Sequence, residues 1–285
     1  MHIDKSQVKA WHACTDGYRW FLDKFPQGGA YADVHGALIS DKRYDDARWL
    51  VDQMYRTFLD SAEFIQAETA ATDKMVGELT SMEHPSDQVE GENSSGNYAR
   101  IGSSGYDARI GSSGYNAQIG SSGNYAQIGS SGNYAQIGSS GNYARIGSSG
   151  NYARIGSSGY NARIGSSGYN AQIGSSGNYA RIGSSGNYAR IGSSGYNAQI
   201  GSSGNYARIT ASGNDARITA SGNGSVVACA GSIERIVLGE NGCASVPWHD
   251  GKRIRIAVAY VGENGIEANI PYYVNDEGQF VRVED

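Results

Sequence analysis

One large aliphatic residue returns at every ninth position through the middle of the chain. Isoleucine recurs from Ile101 and Ile110 to Ile218 without a slip, and Val227 takes the next slot. The unit reads Ile-Gly-Ser-Ser-Gly, then a pair drawn from Asn, Tyr and Asp, then Ala and either Arg or Gln. Such a period predicts stacked coils, because one unit cannot bury its own apolar face. Strand alternation sets the facing. In Ala144-Arg145-Ile146-Gly147-Ser148, the Ala, Ile and Ser share the inner side, and Arg and Gly the outer. The next Ser, Gly and the Asn/Tyr pair form the turn, where Gly is expected to supply a positive φ. The fold class is therefore mainly β, a parallel β-solenoid (β-helix or β-roll) of nine-residue repeats over residues 94–227. An 18-residue two-sided coil and a 27-residue three-sided coil both fit the pattern.

The flanks have other periods. In residues 1–93, Trp20-Phe21-Leu22 follows Asp16 and Gly17, and Phe25-Pro26 ends that turn. Ala47, Leu50, Val51, Met54, Tyr55, Phe58 and Leu59 fall at helical spacing, and 62–82 continues it. A break at 83–87 and a polar linker at 88–93 follow. This segment reads as an α-helical N-terminal cap with Trp11, Trp20, Phe21, Phe25 and Trp49 as its core. Residues 228–285 read as strands at 254–261, 272–274 and 280–283 around turns at 262–265 and 275–278. They form a small antiparallel, β-rich C-terminal cap. Caps are expected because the end coils of a solenoid expose unpaired strand edges.

Charge sharpens this division. The net charge of −5 conceals −8 over 1–93, +7 over 94–227 and −4 over 228–285, and every cation of the middle segment is Arg. The outward column before each Ile holds only Arg or Gln. The candidate binding face is Arg109, Arg145, Arg154, Arg163, Arg181, Arg190 and Arg208, with Tyr143 and Tyr152 beside them. Such a column is either a soluble wall or a flat face for a polyanion or an acidic protein surface.

Other chemistries fare worse. A calcium-binding roll also repeats every nine residues, but the carboxylate slot is Asp only at Asp107 and Asp215. An ice-binding face suits the Ser-Ser rows and conflicts with the Arg column. His12 with Cys14, and Cys229, Cys243 and His249, could hold zinc or pair as a nucleophile only if they converged, and no C-x-x-C is present. No phosphate loop, G-x-S-x-G or H-E-x-x-H occurs. No metal, cofactor or catalytic set is expected, and the chain reads as a non-enzyme. It has no run of about 18 apolar residues, and its first residues lack the apolar core of a secretory signal. Three cysteines are a poor disulfide framework. A bacterial cytoplasm is the expected compartment.

Ile209-Thr210-Ala211-Ser212-Gly213-Asn214-Asp215-Ala216-Arg217 resembles the I-x-A-S-G nonapeptide arrays of uncharacterised bacterial and phage proteins. The endings Ser225-Val226-Val227-Ala228-Cys229-Ala230-Gly231 and Gly251-Lys252-Arg253-Ile254-Arg255 are similar to theirs. Cys14-Thr15-Asp16-Gly17-Tyr18-Arg19-Trp20-Phe21, with Phe25-Pro26 and Trp49-Leu50-Val51, resembles a small cap motif of phage and prophage proteins. The resemblance implies a phage or prophage context and no settled activity. The expected function is a phage-encoded interaction protein that occupies the surface of a host defence complex, a CRISPR effector for instance. Its partner would be a host protein or ribonucleoprotein, with no membrane involved and with room for a homodimer through a cap domain. The acidic N-terminal segment could itself imitate DNA charge. The alternatives are direct nucleic-acid binding by the basic solenoid and a structural phage component.

Overall fold

The computed structural model describes residues 1–59, 61–80 and 91–284. Near the N-terminus, β1 (His2–Ile3) pairs antiparallel with β2 (Gly29–Ala30). Among the described residues five helices accompany them: α1 (Lys5–Ala10), α2 (Thr15–Lys24), α3 (Tyr31–Ser40), α4 (Tyr44–Phe58) and α5 (Ala62–Thr80). Local chemistry starts α1, since Asp4 accepts from the N–H groups of Ser6 and Gln7 while the Gln7 side chain accepts from Asp4 N–H. In α4 the helical period turns Leu50, Val51 and Met54 inward, where they meet Ile3, Phe21, Val34, Leu38 and Phe64 in one buried cluster. Of the five aromatic residues read as the core, Phe21 alone is buried. Trp11, Trp20, Phe25 and Trp49 pack around its margin.

The expected break at 83–87 lies outside the described residues. The end of the expected linker is already structured, because β3 (Gly91–Ser94) pairs parallel with β5 (Arg109–Ser112). From β4 (Arg100–Ser103), four-residue strands recur every nine residues to β16 (Arg208–Ala211), so β10 is Arg154–Ser157 and β11 is Arg163–Ser166. The stack continues through β17 (Ala216–Ala220), β18 (Val226–Cys229) and β19 (Ile233–Leu238). Register settles the coil size. Ile155 lies beside Ile137 and Ile173, and Ile164 beside Ile146 and Ile182. Partners are one pair of repeats apart, so each coil is two-sided, with even-numbered strands in one sheet and odd-numbered strands in the other. The even strands from β4 to β18 span roughly 34 Å at about 4.8 Å per step.

The inner column is as the alternation requires. Every repeat Ile is 6% exposed or less, and the matching Ala is buried from Ala108 to Ala216. The first Ser of each unit is inside too. From Ser130 to Ser202 its hydroxyl has no partner among the described residues. Ala211 and Ala220 fill the same slot in the last coils, and nothing in the structure explains the preference for Ser.

Turn chemistry corrects one expectation. Positive φ falls on the second residue of the Asn/Tyr pair, from Tyr98 at 60° to Asp215 at 58°, and not on the repeat glycine. This conformation costs a residue with a Cβ roughly 1–2 kcal/mol, less for Asn and Asp. Coil-to-coil bonds offset it: Tyr125 N–H donates to the Asn142 carbonyl at 2.9 Å, and the Tyr rings stack. The turn glycine serves close approach instead. A Cβ on Gly150 would stand 2.0 Å from the carbonyl oxygen of Gly132 in the preceding coil. Gly150→Ala is therefore expected to lose on the order of 3 kcal/mol, as overpacking does, in a urea titration. Gly156→Ala, whose new Cβ would meet nothing within 4 Å, is expected to change stability little.

The flanking segments are joined to the rod itself. β20 (Cys243–His249) adds parallel to β18, and β21 (Ile254–Tyr260) adds antiparallel to β20. On the other sheet β22 (Pro271–Val274) adds antiparallel to β19, and β23 (Phe280–Arg282) follows. The expected C-terminal strands thus exist, but they extend both solenoid sheets and do not form an antiparallel unit of their own. At the N-terminal side, α5 lies along the odd-numbered sheet from β3 to β15. The helices therefore cover a side of the rod, leaving, among the described residues, one covered sheet and one free sheet.

Candidate binding faces of the solenoid

Both sheets carry the same outward residues, a column of Arg or Gln and a column of Gly. On the covered sheet the Gly column is the seat of α5. Added Cβ atoms would lie 2.9 Å from Ile65 at Gly201 and 3.6 Å from Thr69 at Gly183. They would lie 2.5 Å from Thr72 at Gly165 and 2.8 Å from Val76 at Gly147. Four successive coils thus meet Ile65, Thr69, Thr72 and Val76, with Thr72 also 2.5 Å from the Cβ position of Gly147. The match is physical, because a helix advances about 5.4 Å per turn and the coils about 4.8 Å per step.

Beside this seat two arginines are taken up by acids of the helical segment. Arg163 pairs with Glu68, which also accepts from the Tyr31 hydroxyl at 2.8 Å, and Arg181 pairs with Asp52. The Glu68 side chain is 5% exposed and that of Arg163 14%. Burial alone would lower the Arg163 pKa, but the Glu68 carboxylate and the Tyr31 and Tyr55 phenols outweigh it and hold it above its ordinary value. Arg181 is pulled down to about 10 by burial, still cationic at neutral pH. Burial, with Arg145 and Arg163 close by, pushes the His35 pKa well below its usual range. Neutral His35 then accepts from Arg163 at 3.0 Å through Nε2. The Tyr31 phenol is raised by burial and by Glu68. This is a desolvated polar network, costly to break.

The free sheet is the complement. Arg100, Arg154, Arg190 and Arg208, with Gln118, Gln136 and Gln172, wall a shallow trough of about 1120 Å³ whose floor is the Gly column. Added Cβ atoms at Gly102, Gly120, Gly138, Gly156 and Gly174 would meet nothing within 4 Å. All four arginines are exposed, and among the described residues none pairs with a carboxylate.

The face expected from sequence is thus divided. Arg109, Arg145, Arg163 and Arg181 belong to the covered sheet, and only Arg154, Arg190 and Arg208 reach the free one. Arg100 joins these three and was absent from the expected set. Its signal was the parity of the repeat, since one repeat in two shares a sheet. Tyr143 and Tyr152 sit on opposite edges, in separate ladders. The Arg48 guanidinium lies 5.2 Å from the Tyr143 ring centroid, whereas Tyr152 is 42% exposed. The swapping order of Asn and Tyr leaves both ladders unbroken. Rings in the same slot stack parallel, as Tyr134 on Tyr152 at 6°, and rings in swapped slots meet edge-on, as Tyr152 on Tyr169 at 74°.

Of the remaining candidates, Cys14, Cys229 and His249 have structural places. Cys14 Sγ caps α2 by accepting from Gly17 N–H at 3.2 Å. Cys229 is buried, which pushes its thiol up to about 12. His249 Nδ1 accepts from Gly251 N–H. Among the described residues no three His, Cys, Asp or Glu side chains converge as a metal would require, and no helix is long and apolar enough to cross a membrane.

No solved structure matches the chain. A stretch of 36 residues, 13% of the chain, is 58% identical to an ice nucleation protein of Pseudomonas syringae and covers 3% of it. A stretch of 75 residues, 26% of the chain, is 37% identical to the uncharacterised protein YdhT of Escherichia coli (strain K12). It covers 28% of that protein, so the chain spans only a minor share of either relative's length. Neither name carries a phage association. Residues 1–59, the part that holds α1 to α4, match the family described as the YdhT N-terminal domain.

Proposed function

We propose that the chain is a non-enzymatic binding scaffold and that its working surface is the free sheet, which occupies an acidic surface of a host protein or ribonucleoprotein. One observation carries this reading. The chain's own acids engage Arg163 and Arg181 on one sheet, whereas on the other the Arg column is exposed and, among the described residues, has no carboxylate partner. Blocking of a host defence complex by a phage-encoded protein is the finer form of the proposal, and rests on the resemblance of its arrays and cap motif. Mimicry of DNA by the N-terminal acids loses weight, because Asp52 and Glu68 face inward on Arg181 and Arg163. Ice binding gains little from the free sheet, whose outward columns are Arg/Gln and Gly while the first Ser of each unit is internal.

The test is capture from bacterial lysate with the wild-type chain and with Arg154→Glu/Arg190→Glu. These two positions are separated by the Gln172 coil, so the substitutions create no Glu ladder. Capture of the partner is expected to fall at least about tenfold, on the scale of a rim charge reversal, and to survive nuclease treatment. Equal capture by a folded variant would refute the free sheet as the working surface. Capture abolished by nuclease would favour nucleic acid, with its steep salt dependence.

A further inference from the structure

The covered sheet is a worked example of what this repeat surface accepts. An α-helix runs along the Gly column, with Ile65, Thr69, Thr72 and Val76 each over a glycine of successive coils. An acid of the same helix, Glu68, reaches sideways to the Arg column at Arg163. At Gly147, Gly165 and Gly201 a Cβ would intrude on the helix, and at Gly183 it would only touch it. Among the described residues the free sheet repeats the ingredients without the occupant: an open Gly floor and a wall of exposed Arg and Gln.

We infer that the free sheet binds an acidic amphipathic α-helix of a partner protein, laid along the Gly floor in the manner of α5. This rests on the free sheet being the working surface and names the partner's chemistry. The helix presents small or β-branched residues at spacings of three and four, so that one meets each coil, with the pitch match that seats α5. Arg154 and Arg190 are two coils apart, about 9.6 Å. Carboxylates at i and i+7 of a helix, about 10.5 Å apart, reach both.

A labelled peptide with the sequence of residues 61–80 is the probe, titrated by fluorescence anisotropy against the full chain. Three proteins are compared: wild type, Arg154→Glu/Arg190→Glu and Gly138→Leu/Gly156→Leu. The leucine pair fills the floor from positions where a Cβ meets nothing, so its circular dichroism melting curve is expected to match wild type. Saturable binding to wild type, weakened at least tenfold in both variants, is the expected result. No binding to wild type overturns the inference. So does binding that ignores the leucine pair, since the peptide would then sit elsewhere, on the covered sheet for instance. The lysate capture separates the two levels. If the arginine pair loses the partner and the leucine pair keeps it, the face is correct and the helix is wrong. A single-stranded oligonucleotide that binds with the same dependence on Arg154 and Arg190 but not on the glycines, where the peptide does not, also overturns the helix in favour of nucleic acid.

Discussion

Ile155→Asp is expected to leave little or no soluble folded protein, while Arg154→Gln beside it melts with the wild type. Ile155 is 3% exposed and packs between Ile137 and Ile173 in a core only two sheets thick. Truncating such a residue alone costs about 2–5 kcal/mol. A carboxylate there has no cation within the column, and an uncompensated buried charge adds several kcal/mol more. The sum rivals the whole stability of an ordinary domain, about 5–15 kcal/mol. A solenoid has a further weakness, because each coil is held only by its neighbours and one broken coil interrupts both halves. Arg154 points to solvent from the same strand, so its loss removes no buried contact. Soluble yield and thermal melting by circular dichroism check both outcomes together. Equal melting of Ile155→Asp and wild type would mean that the column does not face inward.

The second large effect falls on an arginine that sequence alone would rank with Arg154. Arg163→Glu sets a carboxylate against buried Glu68, with Tyr31 and neutral His35 offering no positive charge. Breaking a buried pair costs about 3–5 kcal/mol, and replacing attraction by repulsion adds to it. The expected result is release of α5 from the covered sheet, with the solenoid intact, since its backbone ladder does not depend on the helix. Hydrogen exchange should then rise across α5, and proteases should cleave the helical segment first. The β signal in circular dichroism should persist. The exchanged pair Glu68→Arg/Arg163→Glu should recover part of the protection, since it restores opposite charges. Unchanged exchange in Arg163→Glu would show that apolar seating on the glycines alone holds the helix. Simultaneous reversal of Arg145, Arg163 and Arg181 would be a poor probe of an external partner, because Arg163 and Arg181 face the chain's own acids.

The repeat by itself determined the solenoid, its inner Ile-Ala-Ser columns and its outer Arg/Gln and Gly columns. Stacking of coils is a nearest-neighbour matter, and the same nine residues state it in every unit. The α4 and α5 helices and the strands at 254–260 were legible for the same reason, as each follows from a local period. Coil size was not legible, because it depends on which repeats pair across space, and the 18-residue register appears only in the sheets. The residue bearing positive φ was misjudged: the second residue of the pair carries it whether Tyr, Asn or Asp, with its backbone N–H donated to the next coil, as from Asn116 to Asn133 and from Tyr125 to Asn142. The site depended most on tertiary structure. Parity decides which Arg belongs to which sheet, and a contact 95 residues apart in sequence, Arg163 with Glu68, decides which sheet is covered. The opposite charges of segments 1–93 and 94–227 stated that attraction in advance, but charge has no direction. Only the fit of α5 along the glycines turned it toward the chain's own solenoid and left Arg100, Arg154, Arg190 and Arg208 facing outward.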